Sequence, residues 1–165
     1  MARSHLVVEA MQKCGVSHVV WLPDSESRFM YDALSATPAV KLVPVCREGE
    51  AFGIAAGLQL GGQTPVVLIQ NTGLFESGDV LRGTFLNMQL PLLLMVGYRG
   101  YHEMITKQGP LDSAAVFTEP ILNAWGINHY LVDTDDDVDK ISKAFQESRD
   151  KQCPVAILIG REYDA

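Results

Sequence analysis

The sequence predicts an α/β domain: a doubly wound, six-stranded parallel sheet with helices on both faces. Short apolar runs of strand length alternate with helix-period segments along all 165 residues. The runs are nearly continuous in apolar residues, as strands buried on both faces are, and helices between them supply the crossovers that parallel strands need. Hydrophobic residues make up 47% of the chain and charged ones 20%, enough apolar mass for a core and too much for a disordered chain. The length fits one domain spanning 1–165, and no repeat, low-complexity tract or linker divides it.

Leu6, Val7, Ala10, Met11 and Cys14 recur at helical spacing and stop at Gly15, a helix-ending residue. His18 to Leu22 reads as the first strand, ended by Pro23. Ser25 is placed to cap a helix through Leu34 whose apolar face carries Phe29, Met30, Ala33 and Leu34. Val40 to Val45 is the second strand, and Glu48 to Leu60 an alanine- and glycine-rich helix closed by Gly61 and Gly62. Pro65 to Ile69 is the third strand. A glycine-bearing turn then leads to a helix from about Gly78 to Met88. Pro91 to Val96 is the fourth strand, followed by an irregular stretch from Gly97 to about Asp112. Ala114 to Trp125 is helical, Asn128 to Val132 a strand and Asp135 to Lys151 a helix with three aspartates in its first turn, where its dipole favours them. Pro154 to Ile159 closes the sheet.

Thirteen basic against twenty acidic residues give a net charge of −7, which argues against a nucleic-acid partner or an anionic membrane surface. Cys14, Cys46 and Cys153 lie far apart and form no CxxC pair, so neither a disulfide framework nor a cysteine zinc site is expected. No apolar run reaches membrane-spanning length and no signal-peptide core opens the chain; the expected compartment is the cytoplasm. P-loop, GxGxxG, GxSxG and HExxH motifs are absent, and the histidines at 5, 18, 102 and 129 are scattered.

Three polar clusters fall at predicted C-terminal strand ends, where α/β sheets place their ligands. They are Pro23-Asp24-Ser25 after the first strand, Cys46-Arg47-Glu48-Gly49-Glu50 after the second and Gln70-Asn71-Thr72-Gly73-Leu74 after the third. Taken singly, each also reads as ordinary structure: a proline turn with a helix cap, a carboxylate on a helix dipole, and a loop glycine with an unusual dihedral.

Together they resemble a known family. Glu48 followed by Ala51, Ala55, Ala56 and Gly57, then Thr64, Pro65 and a polar glycine turn, is similar to the pyrimidine-binding domain of thiamine diphosphate enzymes. Within it, Pro23-Asp24-Ser25, Glu48-Gly49, Gln70-Asn71-Thr72-Gly73-Leu74, Gly97-Tyr98-Arg99-Gly100, Lys107-Gln108-Gly109 and Cys153-Pro154-Val155 resemble the phosphonopyruvate and sulfopyruvate decarboxylase branch over nearly the whole chain. Thr72 stands where that branch carries serine, and Tyr98 where it carries tryptophan.

The resemblance implies decarboxylation of a small anionic 2-oxo acid, 3-sulfopyruvate first and phosphonopyruvate as the alternative, to an aldehyde and carbon dioxide. It implies thiamine diphosphate with Mg2+ as cofactors. Activating the thiazolium needs a carboxylate hydrogen-bonded to the aminopyrimidine ring, and the resemblance gives that role to Glu48. Asp24 is implied as a second catalytic group and Ser25 as a substrate contact. Asn71, Thr72 and Gly73 are implied to meet the cofactor, and Gln70 the substrate. Arg47, Arg99, Lys107 and Gln108 are the donors available for a sulfonate or phosphonate. The family's Gly-Asp-Gly motif and asparagine pair are missing: Gly78-Asp79 runs into Val80. A second subunit is therefore expected to hold the metal and diphosphate. The small residues Gly49, Gly53, Ala55 and Ala56 would let a neighbouring chain pack closely, and Tyr98, Tyr101, Met104 and Ile105 are expected to face a partner. Two non-enzymatic readings stand beside this one. A regulatory subunit would not need Glu48, and a flavodoxin-like binding module would need a phosphate-binding turn where Pro23 and Asp24 stand.

Overall fold

The computed structural model describes residues 2–24 and 30–160. The predicted cap at Ser25 and the packing of Phe29 lie outside them. The described residues build one six-stranded sheet in the order β2-β1-β3-β4-β6-β5, with every pair parallel. Its strands are β1 (His18–Trp21), β2 (Lys41–Pro44), β3 (Pro65–Gln70), β4 (Leu92–Gly97), β5 (Asn128–Val132) and β6 (Pro154–Ile159).

Alternate residues of the central strands feed two separate cores. Val66 and Leu68 of β3 join one with Met11 of α1 (Ser4–Lys13), Leu34 of α2 (Met30–Ser35) and Ile141 of α8 (Asp139–Lys151). Val67 and Ile69 face the other, with Phe52 of α3 (Glu48–Leu60), Leu74 of α4 (Asn71–Glu76), Leu81 of α5 (Gly78–Leu81) and Leu122 of α7 (Ser113–Ala124). Burial on both faces is why these strands show no polar alternation. Gly15 ends the first helical segment at φ +73°, as the spacing predicts. His18 is buried with Nδ1 2.8 Å from the Ser17 hydroxyl, while His5 and His102 are exposed. No helix among the described residues is long and apolar enough to cross a membrane.

Five expectations are corrected. The glycine-bearing turn after β3 is the helix α4, which starts directly at Asn71. The helix expected over 78–88 is the short α5 followed by a π-helical turn, Arg82–Leu86. The stretch 97–112 contains α6 (Tyr101–Thr106), entered through Gly100 at φ +79° and left through Lys107 at φ +57°. Tyr98 does not face outward: it is 2% exposed, stacks on Tyr101 at 4.9 Å and donates its hydroxyl to the Ala115 carbonyl at 3.2 Å. Tyr101 and Met104 are half-buried, and only Ile105 of the four is exposed. The last helix starts at Asp139, because Asp135–Asp137 forms a 3-10 turn closed by a capping box between Thr134 and Asp137.

That box makes acid sensitivity predictable. The Lys140 ammonium, with the backbone N–H groups of Asp133 and Thr134, holds the Asp137 carboxyl down to about 2. Lys151 and the Tyr130 hydroxyl hold Glu147 down to about 2 as well. Both values lie below those of an unfolded chain, so the stabilisation is complete above about pH 4.5 and is lost as pH falls toward 2. Each group is expected to contribute about 1 kcal/mol after solvent screening. Urea titrations at pH 7 and pH 3 should show the loss, and Glu147→Gln should flatten it.

Candidate functional site

The chain winds from β1 outward to β2 and from β3 the other way to β4, so β1 and β3 flank a topological switch point, where ligands of open α/β sheets bind. The polar clusters after β1, β2 and β3 all emerge at this edge of the sheet.

Glu48 is the first residue of α3. Arg47 before it is extended, at φ −153° and ψ 142°, and its side chain makes no cap hydrogen bond to the helix. Glu48 is half-buried because its side chain lies against Gly73 of α4. A Cβ on Gly73 would stand 2.3 Å from Glu48 Cγ and 2.7 Å from its Oε1. Gly73 has no positive φ, so the dihedral reading of this glycine is wrong and its reason is steric. Glycine is the only residue that lets α4 lie on the glutamate's stem.

One helical turn further along α4, Glu76 reaches back to the same place. Its Oε2 accepts the Gly49 backbone N–H at 2.9 Å, and its Oε1 accepts from the Arg47 guanidinium. Those two donors hold the Glu76 carboxyl below the usual carboxylate range. Sequence reasoning missed Glu76, since nothing in its local spacing announces partners 27 and 29 residues away.

Asn71 is fully buried at the start of α4. Its Nδ2 donates to the Arg99 carbonyl at 3.0 Å and to Thr118 Oγ1 at 3.1 Å, which ties α4 to the β4–α6 connection and to α7. Its Oδ1 and the Oε1 of Gln70 are shielded from solvent and accept no hydrogen bond among the described residues. Thr72 is half-buried, as is Asp24, one of whose carboxylate oxygens is shielded from solvent; Ser25 lies outside the described residues. The four anion-binding candidates are not drawn together by any ion pair described among these residues. Arg47 is engaged by Glu76, Arg99 pairs with Asp112 at 3.1 Å, and Lys107 and Gln108 are exposed beyond α6.

A carboxylate that exchanges a proton with an aminopyrimidine must be rigidly held, partly shielded from water and backed by small atoms. Glu48 is partly shielded from water and lies against a glycine at a helix start, so the residues present fit the pyrimidine end of thiamine. Comparison with known proteins gives the family. Residues 1–116 match the family described as thiamine pyrophosphate enzyme, N-terminal TPP binding domain. The chain is 35% identical over 112 residues to the sulfopyruvate decarboxylase subunit alpha of Methanothermobacter thermautotrophicus, covering 67% of this chain and 68% of that one. It is 29% identical to the subunit alpha of Methanococcus maripaludis, covering 99% of this chain and 97% of that one. A phosphonopyruvate decarboxylase of Streptomyces viridochromogenes is 29% identical over 57% of this chain, but the match is only 24% of that protein's length. By fold and sequence, the chain belongs to the thiamine pyrophosphate enzyme family, in its N-terminal TPP-binding domain.

Proposed function

We propose that residues 1–165 form a single pyrimidine-binding domain, the subunit of a cytoplasmic decarboxylase that converts 3-sulfopyruvate to sulfoacetaldehyde and carbon dioxide. The observation that carries this reading is Glu48 held against Gly73 at the β1/β3 switch point. Its similarity, almost end to end, to proteins named sulfopyruvate decarboxylase subunit alpha supports the substrate and the subunit organisation. A second subunit would supply the Gly-Asp-Gly motif that these 165 residues lack and would hold Mg2+ and the diphosphate.

Thiamine diphosphate, when bound, supplies a nucleophilic carbon and a cationic ring that accepts the electrons left by departing carbon dioxide. Glu48 holds and moves a proton at the aminopyrimidine ring nitrogen. Asn71, Thr72 and Gly73 would hold the pyrimidine side of the cofactor, and Gln70 would meet the substrate. Asp24 would pass a proton to the product, and Ser25 is the proposed substrate contact that follows it in the chain. Lys107, Gln108, Arg99 and Arg47 are the donors for the substrate's distal anion.

The likeness to phosphonopyruvate decarboxylase favours a second reading in which the distal anion is a phosphonate. Calorimetry and turnover assays separate the possibilities. The purified chain with thiamine diphosphate and magnesium is expected to show neither tight binding nor turnover. Mixed with a subunit bearing Gly-Asp-Gly, it should release sulfoacetaldehyde from 3-sulfopyruvate. Faster turnover of phosphonopyruvate would select the second reading, and turnover by the chain alone would overturn the two-subunit assignment.

Lys107→Ala is expected to raise KM for the sulfonated acid about 10–100-fold, against little change for pyruvate, since a hydrogen bond to a charged group contributes about 1.5–3 kcal/mol. Arg99→Ala should act in the same direction but also frees Asp112, so the lysine variant is the cleaner measurement. Equal losses on both substrates would assign these residues to structure.

A further inference from the structure

We propose that Glu76 is a positioning residue, which caps α3 from the neighbouring helix and thereby fixes where Glu48 is presented. An α-helix begins with backbone N–H groups that have no intrahelical partner, and the residue before the helix normally satisfies one through Ser, Thr, Asp or Asn. Here that place holds Arg47, whose side chain carries no acceptor and makes no cap bond. The missing acceptor comes from Glu76, whose carboxylate takes the Gly49 N–H at 2.9 Å with one oxygen and the Arg47 guanidinium with the other. Glu48 is the residue between these two donors.

Gly73 and Glu76 stand three residues apart on α4 and therefore share one face. The first touches the Glu48 side chain; the second accepts from the backbone N–H of the residue after it and from the side chain of the residue before it. The glutamate is thus held at its stem and at its main chain by one short helix. Gly49 is buried beneath the same contact, where a Cβ would meet Glu76 Oε2 and Val80 Cγ2 at 3.5 Å. The Glu50 carboxylate of the same turn is turned the other way and accepts from the Cys46 N–H at 3.2 Å.

The positioning role rests on the reading of Glu48 given above, and two measurements keep the cap and that reading apart. In the chain alone, Glu76→Ala is expected to speed amide exchange at Gly49 and Glu50 about five- to tenfold, the usual effect of losing a helix cap. Glu76→Gln should do so much less, because its amide oxygen still accepts from Gly49. Unchanged exchange in the alanine variant would overturn the cap. In the decarboxylase assembled with its second subunit, Glu76→Ala is expected to lower kcat about 10–100-fold with little change in KM, as displaced catalytic groups do. That loss should vanish when Glu48 is already glutamine; a loss that persists undiminished in the Glu48→Gln background would overturn the positioning role. Full turnover by Glu48→Gln itself would overturn the reading of Glu48 and with it the positioning role, and the exchange result would still decide the cap.

Discussion

Replacing Glu48 by glutamine is expected to lower decarboxylation by the assembled enzyme about 10²–10⁴-fold, the usual range for a lost acid–base group. Glutamine keeps the stem that lies on Gly73, so packing at the α3–α4 contact is preserved. What disappears is an oxygen able to exchange a proton with the aminopyrimidine. If Glu48 served only the dipole of α3, the substitution would cost about 0.3–1 kcal/mol of stability and no activity. The two accounts differ by several kcal/mol in what turnover reports, so one kinetic measurement with a denaturation curve separates them. Glu50→Gln is the matched control: it removes a carboxylate from the same helical turn, on the exposed side. Near wild-type turnover by the Glu48 variant would remove that residue from the chemistry.

Much of this site was legible in the sequence because its main element announces itself locally. Glu48–Leu60 was bounded correctly by a carboxylate at one end and Gly61-Gly62 at the other, and the apolar runs of β3, β4 and β6 admit no other reading. What stayed hidden depends on contacts across the chain. Asn71, Thr72 and Gly73 are weak helix formers, so α4 reads as a turn until the packing of Leu74 in the core and the bonds of Asn71 to Arg99 and Thr118 are known. Tyr98 looked like a surface aromatic in an irregular stretch. Its hydroxyl finds Ala115 and Glu119 only once α7 lies over it, and burial beside Glu119 pushes that hydroxyl's pKa up. Glu76 has no local signal at all, since both its partners precede β3 in the chain.

Substituting Gly73 by alanine carries the second large effect, and its direction follows from where the new methyl group must go. At 2.3 Å from Cγ and 2.8 Å from Cδ of Glu48, it overlaps the glutamate's stem, which cannot simply bend away at its tip. Two responses are open. The glutamate turns out of its seat, which spares the fold and removes the carboxylate from the pyrimidine. Otherwise α4 backs away from α3, which stretches the Glu76–Gly49 bond and loosens the core around Leu74. Overpacking of this kind costs about 1–3 kcal/mol. Both responses displace Glu48, so turnover is expected to fall nearly as far as in Glu48→Gln whichever one the chain takes. Gly53 in the middle of α3 gives the opposite sign: a Cβ there meets nothing within 4 Å, and its φ is not left-handed. Gly53→Ala should therefore stabilise the chain alone by about 0.5–1 kcal/mol through helix propensity. Urea denaturation of the two variants, paired with turnover of the assembled enzyme, tests the contrast. Wild-type stability and wild-type turnover in Gly73→Ala would show that α4 does not hold Glu48 in place.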